Sequence, residues 1–343
     1  MNFLHDRGKA AIIYKDREYS YKELITGIKY YSTLLKIKKE IVIPQEFKAE
    51  YETLKDYMEK NYNVEVTPDA HLELDLGLDS LDIVEILSFI EMSFGIKITE
   101  EEFTDIKNVL DMAKFVKERG GEFSDNEVDW KTILSQDTNI ELPKSAWVGK
   151  LIRFIFKPFF SIYFSLKKEG QDKILSEPAI YVGNHQSFLD ALIFNQAISS
   201  AKMGDTYYLG TIVHFGTPLR KYLAERGNVL IIDINKNLKE TLQVSAKVLK
   251  EGKNLVIFPE GARTRDGEIQ DFKKTFAILS KELNIPVVPF GIKGAYEAMP
   301  YGQRIPSMSP ITIKFFDKVM PEGLTVEEIV EKSKDEIELW LIK

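Results

Sequence analysis

From residue 179 onward short apolar runs alternate with helix-patterned segments, and this alternation constrains the fold more than any other feature of the chain. The runs are Ala179–Val182, Val229–Ile234, Leu255–Phe258, Val287–Ile292 and Ile311–Phe316. Apolar residues recur at helical spacing over about 187–198, 238–251, 273–283 and 325–341. Strands separated by whole helices do not pair as hairpins. They predict an α/β domain with a largely parallel sheet, assigned to residues 144–343.

Residues 48–119 contain no such runs. Helical stripes are formed by Tyr51, Leu54 and Met58, by Ile83, Ile86, Leu87 and Ile90, and by Ile106, Leu110, Ala113 and Val116. The stretch Asn61 to Asp69, with Pro68, reads as a loop. Phe94-Gly95 ends the second helix, and Thr99-x-x-Glu102 opens a short one. The expected unit is an all-α four-helix bundle. Gly120 to Pro143 is polar and weakly periodic and reads as a linker over 120–143. Residues 1–47 are too short for an ordinary domain. There Ala10–Tyr14 and Glu18–Ser20 read as strands about a Lys15-Asp16 turn, and Ser20-x-x-Glu23 opens a helix carrying Leu24, Ile28, Tyr31 and Leu35.

Charge follows the same division. The 343 residues carry 46 Lys+Arg and 53 Asp+Glu, a net of −7. Residues 51–119 alone hold 17 acidic and 7 basic side chains, a net of −10, which leaves the rest at +3. An acidic module on a slightly basic body is suited to docking on basic surfaces and argues against nucleic acid as its partner. The chain has no cysteine, which excludes disulfides, thiolate metal sites and cysteine nucleophiles. Four histidines (His5, His71, His185, His214) make a multi-histidine metal site unexpected. No stretch reaches the ~20 uncharged apolar residues of a membrane span. The opening MNFLHDRGKA lacks the apolar segment of a secretory signal, so a cytoplasmic chain is expected.

In the helical unit, Asp75-Leu76-Gly77-Leu78-Asp79-Ser80-Leu81-Asp82 places a serine at the start of the second helix. An isolated serine there reads as a helix cap. It is equally a hydroxyl whose attached phosphate the helix N-terminus would favour. Asp82, Glu85 and Glu91 are expected to face outward. Residues 48–118, with LGLDSLD, VEIL, FGIKITEEE and NVLDMAKFV, resemble acyl carrier proteins throughout. That resemblance implies that Ser80 takes a covalent 4′-phosphopantetheine arm from a phosphopantetheinyl transferase, and that the arm's thiol is acylated by a loading synthetase.

In the α/β unit, Asn184-His185-Gln186-Ser187-Phe188-Leu189-Asp190 follows the first strand and precedes an apolar helix. Attack of an alcohol on a thioester needs a base, and a histidine held by a carboxylate is suited to that work. Five positions apart, His185 and Asp190 meet only if the histidine lies in the loop and the aspartate in the first helical turn. On spacing alone, Ser187-x-x-Asp190 reads equally well as a capping box. Phe258-Pro259-Glu260-Gly261-Ala262-Arg263-Thr264-Arg265-Asp266-Gly267 follows another strand and gathers a carboxylate and two guanidiniums at a strand end, where open sheets bind ligands. The alternative for this segment is a surface loop with Glu–Arg ion pairs. Together NHQSFLD and FPEGARTRDG resemble the glycerolipid acyltransferase family, which includes lysophosphatidate acyltransferases, from about Trp147 to Asp317 and through Val287-Val288-Pro289-Phe290. That resemblance implies His185 as general base, Asp190 as its orienting partner, Glu260, Gly261 and Arg263 as the acceptor-binding block with Arg265 beside them, Pro289 as a shape residue, a lysophospholipid acceptor and no metal. The chain departs from the family at Ile234, where an arginine is usual. Lys236, Lys273, Lys274 or Arg265 are the candidates to replace it.

Trp147 to Lys168 is rich in aromatics, with Lys150, Arg153 and Lys157 on one helical face. This suits a helix lying on an anionic membrane surface, kinked at Pro158, and equally a core helix with a solvated face. The family resemblance favours peripheral attachment at the cytoplasmic membrane face. Residues 9–24 resemble the opening of adenylate-forming acyl-CoA or acyl-ACP synthetases, whose nucleotide loop and body are absent, so 1–47 reads as a remnant without adenylating activity. Three functions are compatible with these readings. The first is acyl transfer from a phosphopantetheine thioester to a lysophospholipid such as 1-acylglycerol-3-phosphate. The others are a carrier or scaffold with a silent acyltransferase fold, and lysophospholipid reacylation in membrane turnover.

Overall fold

The computed structural model describes residues 10–14, 17–20, 43–62, 64–78, 80–98, 100–103, 106–120, 130–135, 141–143, 147–211, 217–232, 238–303 and 305–342. Strands β1 (Ala10–Tyr14) and β2 (Arg17–Ser20) form an antiparallel hairpin with Tyr14 opposite Arg17. The helix expected from Ser20 to Leu35 lies outside the described residues.

Four helices follow: α1 (Lys48–Tyr62), α2 (Ser80–Phe94), α3 (Glu100–Phe103) and α4 (Val109–Glu118). They share one apolar cluster in which Leu54 and Met58 of α1 meet Ile86 and Ile90 of α2 and Val109, Met112, Ala113 and Val116 of α4. Leu110 falls off that face and is partly exposed. The buried stripe of α4 runs through Val109 and Met112 instead, because Asn108 starts the helix by accepting a hydrogen bond from Asp111 N at 2.8 Å. Helix α2 stops at Phe94, where Gly95 takes φ +70°. The outward placement expected for Glu85 does not hold. It turns toward α1 and accepts a hydrogen bond from the Tyr62 hydroxyl at 3.2 Å, and burial raises the pKa of its carboxyl.

Within the stretch read as a linker, Trp130–Ser135 forms helix α5 with Ile133 and Leu134 buried. Helix α6 (Trp147–Ile162) then leads into a sheet, and its path runs through Pro158. The remaining elements are β3 (Lys167–Glu169), β4 (Ile180–Gly183), α7 (Asp190–Ala197), β5 (Thr206–Thr211), α8 (Pro218–Glu225), β6 (Val229–Ile232), α9 (Leu238–Lys250), β7 (Asn254–Ile257), α10 (Thr275–Leu283), β8 (Val287–Lys293), α11 (Ala295–Ala298), β9 (Thr312–Phe315) and α12 (Val326–Ile342).

The seven strands lie in the order β3-β9-β8-β4-β7-β5-β6. Strands β8, β4, β7, β5 and β6 are parallel, while β3 and β9 pair parallel to each other and antiparallel to β8. Alternation along the strands splits the core. Ile180, Val182, Leu255 and Ile257 point into the cluster with Leu242 of α9 and Phe276 of α10, and Tyr181 and Val256 into the cluster with Phe160 of α6 and Phe194 of α7. Strands β3 and β5 and helix α8 were not among the expected elements. Strand β5 reads Thr-Tyr-Tyr-Leu-Gly-Thr, and its polar groups are satisfied only in the fold: Tyr207 donates to Pro143 O at 2.5 Å and Tyr208 to Asn195 Oδ1 at 2.8 Å. Among the described residues no helix is long and apolar enough to cross a membrane.

Candidate active site

The parallel strands β4, β7 and β8 bring their C-terminal ends to one edge, and each feeds a loop that contributes to the site. Close approach at the exit of β4 depends on Gly183. A Cβ added there would lie 2.3 Å from the Phe290 ring of β8. Asn184 follows, buried, with its side-chain amide paired to a backbone. Nδ2 donates to Ile292 O at 2.8 Å and Oδ1 accepts from Ile292 N at 2.7 Å, so the amide continues the ladder for one more rung.

His185 lies in the loop and Asp190 is the first residue of α7. Their side chains meet at 2.8 Å, His185 Nδ1 to Asp190 Oδ2. Asp190 is fully buried, and the same oxygen accepts Gln186 N at 2.7 Å and Ser187 N at 2.8 Å. The capping box does not form, since Leu189 is the residue that caps α7 and Ser187 Oγ is spent on Met299 O and Leu189 N; the bonds from Gln186 N and Ser187 N instead let one carboxylate both shape the turn and hold the imidazole. An acceptor-only partner at Nδ1 leaves Nε2 as the basic nitrogen. The ring stacks on Phe258 at 4.5 Å and 18°, and the side chain is 24% exposed, so it is supported on one face and accessible.

The second motif holds the backbone of the first. Glu260 Oε1 accepts His185 N at 2.7 Å, Glu260 Oε2 accepts Gln270 N at 3.1 Å, and Thr264 N donates to His185 O at 2.9 Å. Both carboxylate oxygens of Glu260 are thus committed to main chain. Burial outweighs these hydrogen bonds and pushes the Glu260 pKa up to about 7. Gly261 has φ +74°, and a Cβ there would come within 3.1 Å of the Lys273 side chain, which places that ammonium beside the loop. Lys274 is paired with Glu327 at 3.1 Å. Ile234 and Lys236 lie outside the described residues.

Arg263 is clasped by aromatics, with Cζ 3.5 Å from the Phe188 ring centroid and 4.9 Å from that of Tyr301. Burial lowers its pKa, opposed by Tyr301 and Asp190, which puts a partly desolvated guanidinium within the field of the His–Asp pair. Arg265 sits 5.5 Å from the Tyr301 ring, and its carbonyl accepts the Tyr296 hydroxyl at 2.9 Å. Pro289 is in β8, opposite Val182 of β4. Thus His185, Asp190, Glu260, Gly261, Arg263 and Arg265 are gathered at one sheet edge. Sequence reasoning missed Asn184, Thr264 and Tyr301. The first two stand inside the quoted motifs, whereas Tyr301 carries no local signal. Among the described residues no group of three or more His, Asp or Glu could hold a metal ion.

Ser80 is the first residue of α2, and the turn before it is open, since a Cβ added at Gly77 meets nothing within 4 Å. A serine opening a 15-residue helix fits a phosphodiester attachment, whose charge the helix N-terminus stabilises.

Two family models match, "Acyltransferase" over residues 165–293 and "Phosphopantetheine attachment site" over residues 52–116. The chain is 29% identical over 158 residues to the 1-acyl-sn-glycerol-3-phosphate acyltransferase of Limnanthes douglasii, covering 44% of this chain and 53% of that protein. It is 29% identical over 164 residues to the chloroplastic enzyme LPAT1 of Arabidopsis thaliana, covering 45% of this chain and 44% of that one. The chain therefore spans about half the length of these curated relatives. Over 55 residues it is 44% identical to the acyl carrier protein of Helicobacter pylori, covering 16% of this chain and 70% of that protein. The solved structure of the 1-acyl-sn-glycerophosphate acyltransferase PlsC from Thermotoga maritima aligns with TM-score 0.50 and 23% identity, over 57% of this chain and 79% of that one, a likeness of fold.

Proposed function

The chain belongs, through residues 52–116, to the acyl carrier protein family with its covalent phosphopantetheine group, and from that premise we propose that it is an acyltransferase that esterifies a lysophospholipid hydroxyl, 1-acylglycerol-3-phosphate in the first instance. The observation that carries this reading is the buried Asp190 holding His185 at 2.8 Å at the end of β4, braced by the Glu260 loop. Ser80 is the attachment point in this reading, and the arm supplies the acyl group as a thioester. Free acyl carrier protein and acyl-CoA are the alternative donors.

The protein's own residues do the rest. His185 Nε2 takes the proton of the acceptor hydroxyl as its oxygen attacks the thioester carbonyl, and the imidazolium that forms is stabilised by Asp190. The proton passes on to the departing thiolate. Arg263, with Arg265 and with Lys273 beside Gly261, binds the acceptor phosphate, since a planar guanidinium matches two phosphate oxygens. Glu260 keeps the histidine backbone in place. No acyl-enzyme is required.

Helix α6 supports a membrane-facing role. Trp147, Leu151, Phe154, Ile155 and Ile162 form an exposed apolar stripe, with Phe154 and Ile162 each 79% exposed. Lys150 and Lys157 are exposed beside it, while Arg153 is turned inward to donate to Ile198 O at 2.5 Å, at the end of α7. We place the protein peripherally on an anionic cytoplasmic membrane face. Residues 1–47 are read as a synthetase remnant, and fatty-acid-dependent pyrophosphate exchange by the purified chain would overturn that. The decisive test of function is transfer from the acyl-loaded chain to lysophosphatidate, followed by mass spectrometry. His185→Ala abolishes transfer while loading persists. Transfer that survives in that variant removes the histidine from the mechanism.

A further inference from the structure

Helix α9 holds two other parts of the chain. On α2, Leu81, Val84, Ser88 and Glu91 fall on one helical stripe. Leu81 and Val84 are buried outside the carrier's own apolar cluster. They belong to the cluster containing Leu242 of α9 and Phe272, which directly follows the Glu260 loop. Glu91 Oε2 accepts a hydrogen bond from Lys239 Nζ at 2.5 Å, and both side chains are partly buried. Farther along α9, Gln243 Nε2 donates to Ile133 O at 3.1 Å and Lys250 Nζ to Leu134 O at 2.8 Å, which fixes α5 on the same helix. Parallel strands set the direction of α9. Following β6, its first turn with Lys239 lies at the sheet edge that carries His185.

We propose that α9 is a docking cradle for this chain's own carrier, with α5 as the anchor of its tether. The idea rests on the acyltransferase reading and names the donor for it. Leu81 and Val84 make the apolar contact, and Glu91–Lys239 sets the register. A carrier whose serine helix buries two apolar residues outside its own core has a surface made for a partner, and the partner is present in cis. Carrier helix α4 ends at Glu118, and α5 begins at Trp130. The intervening eleven residues, 119–129, reach at most about 40 Å when fully extended. Without α5 the tether would run to Leu142, next to the Pro143 carbonyl bound by Tyr207, and its reach would be about 80 Å. Anchoring α5 halves that reach and raises the effective concentration of the carrier at α9 by about threefold, as the −3/2 power of the tether's length.

The cysteine-free chain allows a direct test. Glu91→Cys with Lys239→Cys, treated with a short bismaleimide at low protein concentration, is expected to cross-link within one chain. Val84→Asp in that background is expected to slow the reaction about tenfold. Val84 is absent from the carrier's own cluster, so the carrier still folds, and circular dichroism checks this. Ile133→Asp should slow it severalfold by freeing the tether. Cross-linking that is purely between chains, or that is indifferent to Val84→Asp, overturns the proposal. In the wild-type chain, single-turnover transfer from the loaded arm should be first order with a rate independent of protein concentration, and a rate that rises with concentration also overturns it. A chain that cross-links as expected yet transfers no acyl group from any donor refutes the acyltransferase reading and leaves the docking in place.

Discussion

Replacing Asp190 by asparagine tests whether one carboxylate both shapes the loop and holds the base. Asp190 Oδ2 accepts three hydrogen bonds, at 2.8, 2.7 and 2.8 Å, while Oδ1 is buried and has no hydrogen-bond partner among the described residues. In the asparagine variant the amide oxygen must take the Oδ2 position, because the other orientation sets an NH2 against three donors. The NH2 then lies where Oδ1 was, and two buried N–H groups lack acceptors. Leaving a buried donor unsatisfied costs about 1–3 kcal/mol. Turning three charge-assisted bonds into neutral ones costs about 1–2 kcal/mol more in total. We expect Asp190→Asn to lose about 2–5 kcal/mol, measured by urea unfolding. Trp130, Trp147 and Trp340 are the only tryptophans and all lie outside the carrier, so their fluorescence follows the α/β body. Turnover should fall by about three to four orders of magnitude, the scale set by histidine–aspartate pairs whose carboxylate is neutralised. A variant within about 1 kcal/mol of wild type that keeps a tenth of the activity would refute the argument, since three shared bonds at this burial cannot be worth so little.

Glu260 gives a pH signature. Burial lifts its pKa from 4.5 to about 7 in the folded chain. Between those values the folded state keeps a proton that the unfolded state has lost, so stability falls as pH rises through the window. The loss is complete above pH 7 and amounts to at most about 3 kcal/mol. Subtracting the stability profile of Glu260→Gln from that of wild type should expose this slope, and a flat difference between pH 4.5 and 7 refutes it. Gly183→Ala drives a methyl into the Phe290 ring and should lower stability by about 1–3 kcal/mol, read by urea unfolding. Ser80→Ala should abolish the mass increase on incubation with a phosphopantetheinyl transferase and coenzyme A, leaving circular dichroism unchanged. Lys150→Glu with Lys157→Glu should release the protein from anionic liposomes in co-sedimentation, and retention would count against α6 as the contact.

Much of the arrangement is legible in the sequence because it is local. The β4–loop–α7 turn is encoded in seven consecutive residues, and a histidine before the helix can meet an aspartate at its first position without distant help. The parallel core is visible because strands buried on both faces are near-continuous apolar runs. What stays hidden depends on partners remote in sequence. Strand β5 carries two tyrosines whose hydroxyls are satisfied by Pro143 and Asn195. Helix α5 is six residues long and is held by side chains more than a hundred positions away. Arg153 reads as part of a basic face until α7 ends beside it and offers the Ile198 carbonyl. Glu85 looks like a surface acid until Tyr62 covers it. In each case a tertiary neighbour overrides the reading that periodicity alone supports.

The main-chain N–H of His185 is bound by Glu260 and its carbonyl by Thr264, 75 and 79 positions further on. Neither segment can therefore be transplanted or redesigned alone, since each supplies half of the other's scaffold. In the proposed acyltransferase reading, variation in acceptor choice is channelled to the rim, where Phe188 and Tyr301 clasp Arg263 and make none of the hydrogen bonds that join the two loops. A breeder of new specificities should diversify those two aromatics first and leave the paired loops as a single inherited block.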